Sequence, residues 1–304
     1  MRIGIVDLDT SHPQRWIPLE RELGHEVIGV WDGGSVHPRS YVEKFAEDLQ
    51  LKVYDTLESL IPDVDCAIIH GCDWDTHIPK ARPFVEAGKS VLLDKPVAGN
   101  KRDIEQIRAW AKAGVRITGG SSLRFCEEVL EWNAKPIEER GTPHTLFAGC
   151  AVDDYNYGIH AYSLLCALMG AGAKSVRHLG QGVQRRIQVN WGGGQTGFLV
   201  VGAAPNYMPF YTTIVTERGV FHYKVDSNKL YRALLVATLP YLAGETDTPP
   251  CPIDDLLETE LIALAALKSW ENGDQEVSLD SLTLDSPRFD GAEFAEGYRK
   301  AKYP

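Results

Sequence analysis

The chain has 304 residues, 44% of them hydrophobic and 24% charged, with a net charge of −11, the make-up of a globular protein long enough for two domains. The negative balance argues against a nucleic-acid partner, whose phosphates need a basic surface, and no run of 18 apolar residues is present to cross a membrane. The six cysteines (Cys66, Cys72, Cys126, Cys150, Cys166, Cys251) are scattered without C-x-x-C pairs, which argues against a zinc site and for small buried hydrophobes in a reducing compartment.

The first predicted strand, Arg2-Ile3-Gly4-Ile5-Val6, opens at residue 2, leaving no room for a secretory leader, so a cytoplasmic protein is expected. It runs into Asp7-Leu8-Asp9-Thr10-Ser11-His12, then a helix-like segment, then a second strand, Glu26 to Trp31, ending in Asp32. The spacing is that of a βαβ nucleotide fold, with an acid about 20 residues after the turn to bond an adenosine ribose. Helix-like stretches at Tyr41–Leu49, Thr76–Ala87 and Lys101–Ala113 alternate with strands at Val64–His70, Ser90–Leu93 and Val115–Thr118. Gly88 and Gly114 stop the last two helices. Such alternation predicts a doubly wound parallel sheet covered on both faces, a Rossmann-like domain over residues 1–120.

After about residue 120 the pattern changes. Residues 145–152, 174–191, 196–203 and 210–225 read as longer strands joined without helices, interrupted by one helix over Tyr157–Met169. Two further helices are expected at Leu230–Ala243 and Ile253–Asn272, with a proline-rich loop, Thr246–Pro252, between them. Residues 121–304 are therefore expected to form a second α/β domain with an open, mainly antiparallel sheet, whose open face is an obvious place for a partner subunit.

The opening turn carries Asp7, Asp9 and His12 where G-x-G-x-x-G would carry its glycines. Thr10 and Ser11 offer hydroxyls to a phosphate and caps to a helix starting near Pro13, and Asp9 is an alternative cap. Two carboxylates beside a pyrophosphate are unfavourable unless one turns away or takes a proton. A metal at Asp7, Asp9 and His12 is disfavoured, because nothing else in the sequence completes a ligand set. Asp32 accepts ribose hydroxyls and repels a 2′-phosphate, favouring NAD over NADP; the alternative is a turn-forming aspartate before Gly33-Gly34. Lys95 stands at the C-terminal end of a parallel strand, the usual place for ligands, where it would polarise a reacting oxygen; the alternative is a solvated lysine before a turn proline.

Three stretches carry a family resemblance. Asp63-Val64-Asp65-Cys66-Ala67-Ile68-Ile69, His77 and Glu86-Ala87-Gly88-Lys89-Ser90-Val91-Leu92-Leu93-Asp94-Lys95-Pro96 resemble the third-strand-to-E-K-P run of the glucose–fructose oxidoreductase / inositol dehydrogenase (Gfo/Idh/MocA) family. Gly120-Ser121-Ser122-Leu123-Arg124-Phe125 and Gly158-Ile159-His160 through Gly170 are similar to its link into the second domain and its histidine-bearing helix. The resemblance implies an NAD(P)-dependent oxidoreductase moving a hydride to or from a hydroxyl or carbonyl of a sugar-like or polyol small molecule, in a homodimer or homotetramer. It implies substrate binding in the second domain as well. It implies Lys95 and His160 as catalytic, His160 as the proton acceptor and donor, with Asn156 where the family commonly has an aspartate. Asp9, Thr10, Ser11, His12, Asp32, His77 and Lys95 would then meet the cofactor. Arg124, Asp153 and Tyr157 would meet the substrate, with core packing the alternative for the tyrosine and a structural ion pair for the arginine. His70, Cys72, Asp73 and Trp74 depart from the family's apolar loop. With the missing glycines, they support a second reading, a family member without net dehydrogenase activity: a ligand-binding or regulatory protein, or a lyase or hydrolase using the same cleft.

Overall fold

A computed structural model describes residues 1–303. The chain forms an α/β structure of two compact units, one taking residues 1–120, 235–253 and 290–304, the other residues 121–234 and 254–289. The stretch 121–304 is thus divided, with two of its segments joining the first unit.

In the first unit β1 (Arg2–Val6), α1 (His12–Glu22), β2 (Glu26–Trp31), α2 (Arg39–Leu49), β3 (Lys52–Val53), α3 (Leu57–Leu60) and β4 (Cys66–Ile69) are followed by α4 (His77–Glu86), β5 (Ser90–Leu93), α5 (Lys101–Lys112) and β6 (Ile117–Gly119). The strands lie in the order β3-β2-β1-β4-β5-β6 and every pair is parallel. The order reverses between β1 and β4, which makes the carboxyl ends of those two strands the topological switch point of the sheet. β4 is buried at every residue and β1 at all but its first, as a sheet covered on both faces requires. The helices bury one stripe each: Val42, Phe45 and Ala46 on α2, and Ile104, Ile107 and Trp110 on α5.

The second unit holds α6 (Glu127–Ala134), α7 (Ile137–Arg140), β7 (Pro143–Gly149), α8 (Ile159–Met169), β8 (Ala173–Gln181), β9 (Arg185–Trp191), β10 (Thr196–Val201), β11 (Tyr211–Thr216) and β12 (Gly219–Lys224). After α9 (Leu230–Leu242) come α10 (Ile253–Glu271) and β13 (Val277–Ser278). The seven strands run β12-β11-β7-β10-β9-β8-β13, antiparallel except for the β7–β10 pair. The run 174–191, expected as one strand, is two, because the chain turns between Gln181 and Arg185; 210–225 is likewise a hairpin, turned at Glu217 and Arg218. Alternating burial continues on both sides of each turn, so periodicity alone does not mark it. A helix absent from the sequence reading, α11 (Gly291–Lys302), belongs to the first unit. Among the described residues no helix is long and apolar enough to cross a membrane.

Candidate functional site

The turn after β1 imitates a glycine turn with aspartates. Asp7 takes φ 67°, the left-handed conformation that glycine adopts without cost and aspartate tolerates better than most residues. Its carboxylate is buried, with the Lys80 ammonium of α4 at 2.6 Å and the backbone N–H of Gly33 donating at 3.0 Å. Burial alone would lower the Lys80 pKa; Asp7 beside it outweighs that, and the pKa is raised. Asp9 also turns inward, accepting from the N–H of Cys72 at 2.8 Å, while its second oxygen is buried with no hydrogen-bond partner. Burial, then the charge of Asp7, pushes Asp9 up to about 7. Asp32 accepts from the N–H groups of Leu8 and Gly34, at 2.8 and 2.7 Å on different oxygens, and burial followed by Asp7 raises its pKa as well. The three acids thus brace the turn from within.

Helix α1 begins at His12 with Ser11 as its N-cap residue and Pro13 in its first turn; Ser11 makes no side-chain cap bond. The Thr10 hydroxyl accepts from the His12 N–H at 3.2 Å. The early proline sacrifices no helical bond, because first-turn N–H groups have no partner in the helix. Ser11 is exposed, and Thr10 and His12 are half-buried.

The His12 ring lies at the centre of a network that sequence reasoning missed. Its Nδ1 is 2.6 Å from Asp94 Oδ2, and His70 Nδ1 is 2.8 Å from the same oxygen. Both histidines therefore donate to one carboxylate, whose other oxygen accepts from the Lys95 N–H at 2.7 Å. Burial would raise Asp94; His12 and His70 together hold it well below the usual carboxylate range. Trp16 stacks on His12 with ring centroids 5.4 Å apart and meets His70 edge-on at 4.9 Å. Three donor atoms of His12, His70 and Asp94 lie within 4.8 Å of one another, a set of metal-ligand type. Yet nitrogen-to-oxygen separations of 2.6 and 2.8 Å are those of shared protons. A tetrahedral ion with ligands at about 2 Å would hold its donors roughly 3 Å apart or more. The one signal in the sequence was that His12, His70 and Asp94 each follow a parallel strand at the same edge of the sheet.

Lys95 follows β5 and is buried. His77 is fully buried on α4, with Nε2 2.8 Å from the Gly71 carbonyl oxygen and Nδ1 3.2 Å from that of Val97. It braces the loop after β4 against the segment that follows Lys95.

In the second unit His160 lies in the first turn of α8 and is buried. Its Nδ1 is 2.7 Å from the hydroxyl of Ser121, whose oxygen accepts from the Leu123 N–H. Tyr157 and Phe210 meet the imidazole edge-on, with centroids 5.3 and 5.1 Å away, and stack on each other. The carboxylate of Asp153 accepts from the N–H groups of Tyr155 and Tyr157, shaping the turn that presents these rings. Asn156 is half-buried in that turn. Arg124 donates to the Asp255 carbonyl and the Thr259 hydroxyl of α10.

Residues 1–120 match a family model described as an oxidoreductase family with an NAD-binding Rossmann fold. YceM of Salmonella typhimurium, provisionally named an oxidoreductase, is 30% identical over 112 residues, 36% of this chain and 35% of that protein. The matched segment therefore spans about a third of this curated relative. Among solved structures, GenD2 from gentamicin A biosynthesis, in complex with NAD, is similar with a TM-score of 0.77 at 15% identity, covering 91% of this chain and 96% of its own. The scyllo-inositol dehydrogenase of Lactobacillus casei, with bound NAD(H) and scyllo-inositol, gives 0.74 at 16%, covering 92% and 99%. At such identities the likeness shows the fold. Over its first 120 residues the chain is thus similar to the Gfo/Idh/MocA family of oxidoreductases, whose model is described by an NAD-binding Rossmann fold.

Proposed function

We propose that the protein is a dinucleotide-dependent oxidoreductase acting on a hydroxyl or carbonyl of a polyhydroxylated small molecule, with NAD preferred to NADP. One observation carries this reading: Asp32 at the end of β2 and Lys95 after β5 stand on the carboxyl edge of one parallel sheet whose strand order reverses between β1 and β4. The residues present fit the cofactor there. Asp7 and Asp9 turn their carboxylates inward, so a pyrophosphate would meet the Thr10 and Ser11 hydroxyls and the start of α1, where an anion is favoured. Each Asp32 oxygen takes one backbone N–H and keeps a lone pair for a ribose hydroxyl. Its charge would repel the 2′-phosphate of NADP.

When bound, the cofactor would supply the hydride acceptor or donor. The chain's own side chains would do the rest. Lys95 would donate to the reacting oxygen and stabilise its developing negative charge. His160, held at Nδ1 by Ser121, would take and return the hydroxyl proton at Nε2. Tyr157 would wall the substrate and Asn156 would orient it by hydrogen bonds, since an amide holds no titrating proton. His12 would serve the cofactor side through its place at the start of α1, with Asp94 fixing its ring. His77, buried on two carbonyls, would act by bracing the loop after β4. Arg124 and Asp153 would support the substrate side by holding α10 and the turn before α8. A homodimer or homotetramer is part of this reading.

The test is turnover across a panel of sugars and polyols, followed at the nicotinamide absorbance. Lys95→Ala and His160→Ala should each lower kcat by about 100-fold or more with a smaller change in KM. Undiminished kcat in either variant would remove that residue from the chemistry. A family member without net dehydrogenase activity remains the second reading, favoured by the position of α11 over the turn.

A further inference from the structure

In a sheet of this topology three segments border the adenosine half of a dinucleotide: the turn after β1, the loop after β2 and the loop after β4. Helix α11 touches all three. Its Lys302 ammonium donates to the Asp9 carbonyl oxygen at 3.0 Å and lies 3.2 Å from His37 Nε2. The neighbouring Tyr303 hydroxyl is 2.7 Å from His37 Nδ1. About two turns back, Ala295 shares a buried apolar cluster with Val36 and Cys72, and Phe294 and Tyr298 pack against it. At the start of the helix the Phe294 ring lies 5.2 Å from that of Trp74, and the Asp75 carboxylate accepts from the Gly291 N–H at 2.9 Å.

Val36 follows β2 and Cys72 follows β4. A helix packed against both borders the slot in which a purine would stack, and a cavity of about 450 Å³ remains between its last turn and the loop after β2. We infer that α11 is an internal plug over the adenosine half of the cofactor site, and that a dinucleotide seats there only when α11 moves off the turn. This rests on the proposed dinucleotide-dependent function and adds a control on it. The plug is held by one small apolar cluster and a few polar hooks. Of its twelve residues Gly291 and Ala295 are buried, and Phe294 and Tyr298 are half-buried against Val36 and Cys72. The polar hooks are Lys302 and Tyr303 on the turn and on His37, with Gly291 on Asp75 at the other end. A free energy shared between helix and cofactor in this way is a competition for one site, and weakening one competitor strengthens the other.

The experiment uses the full chain and NAD itself. Calorimetric titration compares the wild type with Lys302→Ala/Tyr303→Phe, which removes the contacts to the turn and to His37 at the exposed end of the helix. Amide hydrogen exchange over residues 291–302 is followed in the wild type with and without NAD. The plug predicts that the double variant binds NAD about tenfold more tightly or better, and that NAD accelerates exchange over 291–302. Equal affinity in the two proteins, with exchange over 291–302 unchanged or slowed by NAD, overturns the plug and leaves the dehydrogenase reading standing. Failure of both proteins to bind NAD at millimolar concentration overturns both.

Discussion

Glu20, on the buried face of α1, is fully buried and neither of its carboxylate oxygens has a hydrogen-bond partner. Burial pushes its pKa up to about 8. The sign of the pH effect follows. Between about 4.5 and 8 the folded protein keeps the Glu20 proton that the unfolded chain releases, so stability from this group is present at low pH. It is lost as pH rises through that window, by at most about 1.4 kcal/mol per pH unit. Asp9, pushed up to about 7, contributes with the same sign. Glu20→Gln should therefore flatten the dependence of unfolding free energy on pH between 5 and 8 and stabilise the protein at pH 8 by about 1–3 kcal/mol. Denaturant melts at four pH values check it, and an unchanged slope would remove Glu20 as the titrating group. At this scale the sequence exposed the candidates and hid their use. Asp7, Asp9 and Asp32 were legible as three acids at two strand ends, and the first two were expected beside a pyrophosphate only if one turned away or took a proton. Lys80, which pairs with the inward-turned Asp7, sits one turn into α4 with nothing local to mark it. The same holds for Asp94, which reads in sequence as the acid of an E-K-P-like motif and in the structure binds two histidines.

Among the elements, the parallel half of the fold was readable because apolar runs of four to six residues, separated by helices with glycine stops, leave little choice of sheet. The second sheet was readable in kind and less so in its turns. The two hairpins between Gln181 and Arg185 and at Glu217–Arg218 preserve the alternation that marks a strand. Helix α11 was not readable as an element at all, since its contacts are with residues more than two hundred positions earlier. At the end of β6 Gly119 has φ 147°, and a Cβ built there would fall 1.9 Å from the Leu93 carbonyl oxygen of β5. Neither the backbone conformation nor the space admits a side chain. Gly119→Ala should destabilise the protein by more than about 2 kcal/mol, read as a fall in the denaturation midpoint. A change within 0.5 kcal/mol would show that β5 and β6 separate more easily than their pairing suggests.

For the molecule as a whole, the family model matched by the first 120 residues, the reversal of strand order between β1 and β4 and the acid after β2 support the proposed dinucleotide. The aspartate turn no longer stands against it, because its side chains serve the interior and its backbone keeps the left-handed bend. What the sequence could not supply is which chemistry the second unit presents around His160, where Ser121, Tyr157 and Phe210 surround the ring and none announces a substrate. The central claim is that this turn and Asp32 bind a dinucleotide, and it is tested most directly by calorimetric titration of NAD and NADP into the full chain and into Asp32→Ala. The account predicts that the wild type binds NAD more tightly than NADP and that Asp32→Ala narrows the gap by weakening NAD about tenfold or more. NAD affinity and preference both unaltered by Asp32→Ala would contradict it.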